Sequence, residues 1–193
     1  MRRLVVSEFV SLDGVMEDPG GAEGFARGGW ALQFDRGPEG DKFKLDEVMD
    51  SDALLLGRVT YEAFAAAWPS RTDDVGFADK MNGMPKFVVS STLERAEWNN
   101  STVIRGDAAA EVAGLKQGPG RDILVAGSGQ LVRTLAQHDL VDEYRLMVFP
   151  VVLGGGKRLF ADTAEPVTLS LAEARSVGAG VLILVYRRPA TAS

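Results

Sequence analysis

The stretch Asp122-Ile-Leu-Val-Ala-Gly-Ser-Gly-Gln-Leu-Val-Arg-Thr-Leu135 decides how the chain folds. Its first part, Ile123-Leu124-Val125, is a short apolar, partly β-branched run that reads as a buried strand. A turn of small residues, Gly127-Ser128-Gly129, follows. Leu131, Val132 and Leu135 then fall on one face of a helix. A strand that runs through such a turn into a helix leaves the first backbone N–H groups of that helix pointing outward. The helix dipole adds partial positive charge, so the junction suits a phosphate or diphosphate. Gly127 and Gly129 have no Cβ to keep an anion at a distance. Close packing of strand on helix also accounts for glycine at such turns, so the neighbouring stretches must discriminate.

Upstream, Ala53-Leu-Leu-Leu56 reads as a second strand, preceded by a helix over Asp41 to Asp50. It ends in Gly57-Arg-Val-Thr-Tyr-Glu, a second strand-to-helix junction whose helix stops at Trp68-Pro69. Arg58 and Thr60 flank that helix start, where a guanidinium and a hydroxyl suit phosphate oxygens. The plainer alternative is that Thr60 caps the helix and Arg58 pairs with a surface acid. A third strand, Lys86 to Val89, ends in Ser90, Ser91 and Thr92, donors for a phosphate or ribose, or ordinary turn formers. Thr102-Val-Ile-Arg105 reads as a further strand, then a helix over Ala108 to Lys116 with Asp107 as N-cap and Gly118 as its stop.

At the N-terminus, Leu4 to Val10 reads as a strand. It leads through Ser11-Leu-Asp-Gly14 into a Gly-rich passage reaching about Gly40, a length expected of a segment that covers a site or is disordered. Asp13, where the strand exits, is a candidate functional carboxylate, although Asp-Gly is also a common turn pair. Trp30 and Phe34 read as packing residues of a short helix under that passage. Downstream, Glu143 to Leu153 reads as a longer strand with Pro150 at a bulge or edge. The run Gly154-Gly-Gly-Lys-Arg158 is not a P-loop, because the position for its first glycine is Val151 and Arg158 follows the lysine. It suits an anionic substrate group or a flexible turn. Alternation at Val167, Leu169 and Leu171, a turn at Gly178-Ala-Gly180, and the apolar run Val181 to Tyr186 predict a C-terminal antiparallel hairpin.

The predicted architecture is a single α/β domain over residues 1–193: a mostly parallel mixed central sheet, helices on both faces, and that hairpin at one edge. A formal net charge of −6 without a basic stripe argues against nucleic-acid binding. With no cysteine and one histidine, thiol chemistry, disulfides and multi-histidine metal sites are excluded. No apolar segment approaches membrane-spanning length and no signal-peptide pattern opens the chain, so a cytoplasmic protein is expected. A dinucleotide fingerprint fails at Val132, where glycine or alanine is needed. A nucleophile elbow fails at Ala126 and Gln130, which weakens a hydrolase built on Ser128 and His138.

Five pieces in order carry a family resemblance: Ser11-Leu-Asp-Gly, Leu56-Gly-Arg-Val-Thr-Tyr-Glu, Val89-Ser-Ser-Thr-Leu, Ala126-Gly-Ser-Gly-Gln-Leu and Pro150-Val-Val-Leu-Gly-Gly-Gly-Lys-Arg-Leu-Phe. The chain resembles the dihydrofolate reductase-like superfamily, in the branch of the riboflavin-biosynthesis reductase domain and its stand-alone relatives. The resemblance implies an NADPH-dependent reductase acting on a small heterocyclic, pterin- or pyrimidine-like, or carbonyl-type substrate. It implies that Gly57, Arg58 and Thr60 hold cofactor phosphates and that Ser90 and Ser91 lie near the adenosine ribose and its 2′-phosphate. Gly127, Ser128, Gly129, Gln130 and Leu131 would cradle the diphosphate. Asp13, Gly14, Gly155 and Lys157 would face the substrate, with Asp13 as the polar or proton-handling group. A homodimer is expected, as related reductases often pair. Two features depart from the pattern: the sequence does not place the carboxylate that dihydrofolate reductases carry on the first helix, and the riboflavin signature is not matched beyond Gly14. A non-catalytic nucleotide-binding protein on the same fold is the alternative.

Overall fold

The structure, a computed structural model, describes residues 1–160 and 166–189. Its strands are β1 (Leu4–Ser11), β2 (Ser51–Gly57), β3 (Lys86–Val89), β4 (Ser101–Ile104), β5 (Asp122–Ala126), β6 (Glu143–Phe149), β7 (Ser170–Val177) and β8 (Val181–Arg187). Its helices are α1 (Gly37–Asp50), α2 (Arg58–Ala67), α3 (Phe77–Gly83), α4 (Ala108–Gln117) and α5 (Gly129–Gln137), with a 3-10 turn at Trp30–Gln33. The strands form one eight-stranded sheet in the order β4-β3-β2-β5-β1-β6-β8-β7. The first six in that row are mutually parallel, and β8 joins β6 antiparallel before turning back as β7.

Period-two alternation sends successive side chains to opposite faces, and both faces are covered. Leu4, Val6, Leu55, Ile123 and Val125 pack with Val112 of α4 and Leu131, Val132 and Leu135 of α5. On the other face Val5, Leu54, Leu56 and Leu124 pack with Val48 of α1, Tyr61 of α2 and Met81 of α3. A third cluster under the hairpin joins Trp30, Met147, Phe149, Val181 and Ile183. Leu54, Leu55 and Leu56 are all fully buried, each worth about 1.5–3 kcal/mol against exposure, which explains the unbroken apolar run.

Several sequence expectations change. The first helix starts at Gly37 rather than Asp41, because Pro38 sits in its first turn, where a fixed φ favours the helix and no N–H is missed. Helix α3 was not foreseen, its seven residues being too few to show a period. Strand β6 stops at Phe149, just before Pro150. Strand β7 begins at Ser170, and of the alternating residues Val167, Leu169 and Leu171 only Leu169 packs against the core: Val167 is 71% and Leu171 55% exposed.

The Gly-rich passage after β1 is folded around one side chain. Asp18 is buried, holds φ +49°, and accepts from the amides of Glu23 and Phe25 while its carbonyl accepts from Gly21 and Gly29. A Cβ on Gly28 would lie 2.2 Å from the Asp18 carboxylate, which is why that position is glycine.

Candidate active site

In an open parallel sheet a ligand crevice forms outside the carboxyl ends of the strands, where the connections diverge. Here β1 connects to β2 on one side while β5, lying between them, connects to β6 on the other. The crevice therefore opens over β5 and β1, and the stretch that decides the fold sits in it.

Two features define the β5–α5 junction. Ser128 holds a left-handed backbone (φ +61°) directly after Gly127 at φ +56°. No side chain caps α5, so the first-turn amides of Gly129, Gln130 and Leu131 are left without a helical acceptor, while Ser128 supplies the first carbonyl, to Val132. The Ser128 hydroxyl is otherwise engaged: it donates to the Ala126 carbonyl (3.1 Å) and accepts from the Gly57 amide (2.9 Å). Thr60 accepts from the Ser128 amide (2.9 Å), so it clasps two junctions together instead of capping its own helix. Gly57, Thr60, Gly127 and Ser128 thus form one unit spanning β2 and β5.

The two glycines serve packing as well as access. A Cβ on Gly127 would meet the Thr60 hydroxyl at 2.8 Å, and one on Gly129 would meet the Met16 sulfur at 2.9 Å. Arg58 is solvent-facing and paired with Glu62 at 2.9 Å. At the end of β3, Ser90 folds its hydroxyl back to accept from the Leu93 amide at 2.9 Å, and Ser91 is exposed.

The residues expected to face substrate form a two-loop clasp. Asp13 accepts from the amides of Leu153 (3.0 Å) and Gly154 (2.8 Å) and from the Ser11 hydroxyl (2.6 Å). The Ser11 hydrogen bond, with those amides, lowers the Asp13 carboxyl to a pKa of about 2. A group ionised to that point is a loop clamp and a poor proton donor at neutral pH. Gly14 takes φ +82° in open space, and its carbonyl accepts from Leu159. Met16 donates to the Lys157 carbonyl, and Lys157 pairs with Glu17 at 2.8 Å. Arg27 donates to the Leu153 carbonyl, beside Gly154 and Gly155. Met16 links this clasp to the α5 junction. Ser128 and His138 flank opposite ends of α5, so they cannot act as a nucleophile–base pair.

Two polar groups were not picked out from the sequence. On the α1 face, Ser7 donates to both Glu47 oxygens (2.7 and 2.9 Å), and Lys44 bonds Ser7 at 2.7 Å and pairs with Glu47. Glu47, 2% exposed, is thus a buried carboxylate on the first helix. On the opposite face Glu8 is 5% exposed and, among the described residues, its Oε1 has no hydrogen-bond partner. Burial pushes the Glu8 carboxyl well above the usual carboxylate range, against the pull of Lys44 and the Gly127 amide. The available signal was a lone charged residue inside a largely apolar strand.

Two hollows lie away from the crevice, and of these groups only Glu47 lines either one. One of about 350 Å³ is lined by Asp52, Lys80 and Pro85 near the strands' amino ends. One of about 190 Å³ lies between α1, β6 and β8, lined by Glu47, Glu143 and Arg187.

The fold and crevice define a doubly wound α/β protein of the dihydrofolate reductase-like kind. The chain belongs to the RibD C-terminal domain family, whose model matches residues 2–183. That family is reductase-like. The chain is 30% identical over 188 residues to the uncharacterized Bacillus subtilis protein YyaP, covering 96% of this chain and 94% of YyaP. It is 31% identical over 186 residues to the uncharacterized YwjB of the same organism, covering 96% and 98%. A crystal structure from Shewanella sp. PV-4, provisionally named a riboflavin biosynthesis protein, shares the fold with a TM-score of 0.77 at 21% identity, covering 97% of this chain and 99% of that one.

Proposed function

We propose that the protein is an NADPH-dependent reductase acting on a small heterocyclic, pterin- or pyrimidine-like, or carbonyl-type acceptor. The observation that carries this reading is the uncapped first turn of α5 at the carboxyl end of β5, where three amides lack a protein partner and the helix dipole favours an anion. The donor set fits a diphosphate. The amides of Gly129, Gln130 and Leu131 would hold it, with the Gly57–Thr60–Ser128 unit fixing the turn. Arg58 would exchange Glu62 for a phosphate, and Ser90 and Ser91 lie toward β3, where the adenosine end would rest. When bound, the reduced nicotinamide supplies hydride chemistry. The chain's part is to orient and enclose: Asp13 holds the Leu153–Gly154 turn, Gly14, Gly155 and Lys157 lie on that clasp, and Ser7 of β1 with Lys44 and Glu47 of α1 offer polar groups.

Thermal unfolding with and without NADPH, repeated with NADH, tests this reading, because a ligand of the native state must raise apparent stability. A clear shift with NADPH supports it; no shift at millimolar cofactor sinks it. The ionised Asp13 favours a second reading, nucleotide binding without turnover. Absence of NADPH consumption with every pterin, pyrimidine and carbonyl acceptor, despite binding, would select that one. Assembly as a homodimer is proposed through the hairpin, where Ser170 to Ser176 are exposed along the whole edge strand, and is tested by sedimentation.

A further inference from the structure

Strand order gives a direction to the proposed cofactor. The adenosine end is placed at β3 by Ser90 and Ser91, and the diphosphate at the β5–α5 turn. Along β3-β2-β5-β1 the next strand past the diphosphate is β1, so the nicotinamide end must cross it. Ser7 is level with Ala126 in the β1–β5 register, which brings Glu8 level with Gly127. Alternation along β1 sends Leu4, Val6 and Val10 to the α5 face, and Glu8 shares that face. One buried carboxyl with an unpartnered oxygen therefore lies beside the turn, where the nicotinamide end would arrive.

Resting on the cofactor reading above, we propose that Glu8 is the side chain that binds the carboxamide of the nicotinamide ring. A neutral carboxyl group offers one O–H and one C=O; a primary carboxamide offers one C=O and one N–H. The two make a pair of parallel hydrogen bonds, and Oε1 would gain the partner it lacks. An orphaned buried polar atom is costly unless a ligand satisfies it. Met16, against Gly129, covers the approach, and its flexible side chain can turn aside. The charged groups acting on Glu8 are Lys44 and Glu47 of α1, across the sheet, and Glu23 from the Gly-rich passage; the α5 side presents the Gly127 amide and Arg133, whose Nε also lacks a partner among the described residues. Burial favours the neutral carboxyl, the form the pairing requires.

The test compares NADPH with 2′-phospho-ADP-ribose, the same molecule without nicotinamide, by calorimetric titration of the wild type, Glu8→Ala and Glu8→Gln. Glu8→Ala weakens NADPH about tenfold or more and leaves 2′-phospho-ADP-ribose unchanged, which also shows that the variant is folded. Glu8→Gln, whose amide can pair with the carboxamide, retains NADPH binding. Wild-type affinity for NADPH falls with rising pH more steeply than that for 2′-phospho-ADP-ribose, and Glu8→Gln removes the difference. Equal weakening of both ligands in Glu8→Ala, or no weakening of NADPH, overturns the inference while the cofactor reading stands. Failure of the wild type to bind either ligand removes the cofactor reading and this inference with it.

Discussion

The two edges of the parallel sheet differ in one respect: at the amino edge the charges have partners, and at the carboxyl edge key polar groups do not. At the amino edge Glu143, 1% exposed, is met by Arg3 (3.2 Å), Arg145 (2.6 Å) and Arg187 (2.6 Å), and Arg3 also holds Asp122 at 2.6 Å. Lys116 pairs with Asp142 at 2.6 Å, and Arg121 with Asp50 at 2.6 Å. Lys86, fully buried at the start of β3, donates to the carbonyls of Asn82, Met84 and Asn99. At the carboxyl edge α5 has no cap, and Glu8 Oε1 and Arg133 Nε have no partner. Helix α4 is capped by Asp107 through the Ala110 amide, whereas no N-cap side chain closes α1, α2, α3 or α5. Among the described residues the Ser101 hydroxyl, at the start of β4, is the other buried polar atom without a partner, so two of the three gather near the β5–α5 turn, as a binding site does before its ligand arrives.

Breaking the amino edge should have the largest effect. Glu143→Ala leaves three guanidinium groups without their shared carboxylate and should lower stability by about 3–5 kcal/mol, read by urea denaturation. Burial opposes ionisation of Glu143, but hydrogen bonds from Arg187 and Arg145 outweigh it and hold the carboxyl below its ordinary value. A lowered folded-state pKa contributes stability above the unfolded value of about 4.3, lost as pH falls through the folded one; Glu143→Ala should flatten that acid limb.

Lys86 gives the next effect, with the same sign of pH slope in a different pH window. Burial lowers its pKa from 10.5 to about 8, so between those values the unfolded chain binds a proton that the folded one does not. This contribution raises stability as pH climbs from about 8 to 10.5, and Lys86→Met should abolish that pH-dependent component in thermal unfolding.

Gly127→Ala probes the other edge. Its Cβ would press on Thr60 and strain a φ of +56°, costing about 1–3 kcal/mol. The distortion should also diminish the NADPH-induced thermal shift by more than the loss of stability explains. Least of all for stability is Arg58→Ala. Both Arg58 and Glu62 are surface groups, so unfolding should move by less than about 1 kcal/mol, while the thermal shift with NADPH is reduced. A large stability change here would blur the contrast between the edges.

The fold was readable because packing leaves periodic traces. Leu54 to Leu56 and Ile123 to Val125 are continuous apolar runs since helices cover both faces of their strands, and the Gly-Ser-Gly turn marks the junction that opens the crevice. The resemblance covered nearly the whole chain for the same reason. The interior polar groups left no such trace. Nothing in Leu4 to Ser11 shows that Ser7 meets Lys44 and Glu47, some 40 residues away, because that contact depends on where α1 crosses β1. Asp13 was legible as a carboxylate at a strand exit. That its oxygens are spent on Leu153 and Gly154 depends on a loop about 140 residues on. Thr60 likewise sits where a capping residue would, yet its partner is Ser128.

Asp18 has a kinetic consequence. Because its carboxylate and carbonyl already fix the passage from Pro19 to Gly29, the chain entropy of that segment is surrendered during folding, not during encounter. A molecule reaching the carboxyl edge meets a formed wall, and what has to move is side chains, Met16 and Arg58 among them. Association should then run near the pace of oriented collision, and differences among ligands should appear in how long each one stays.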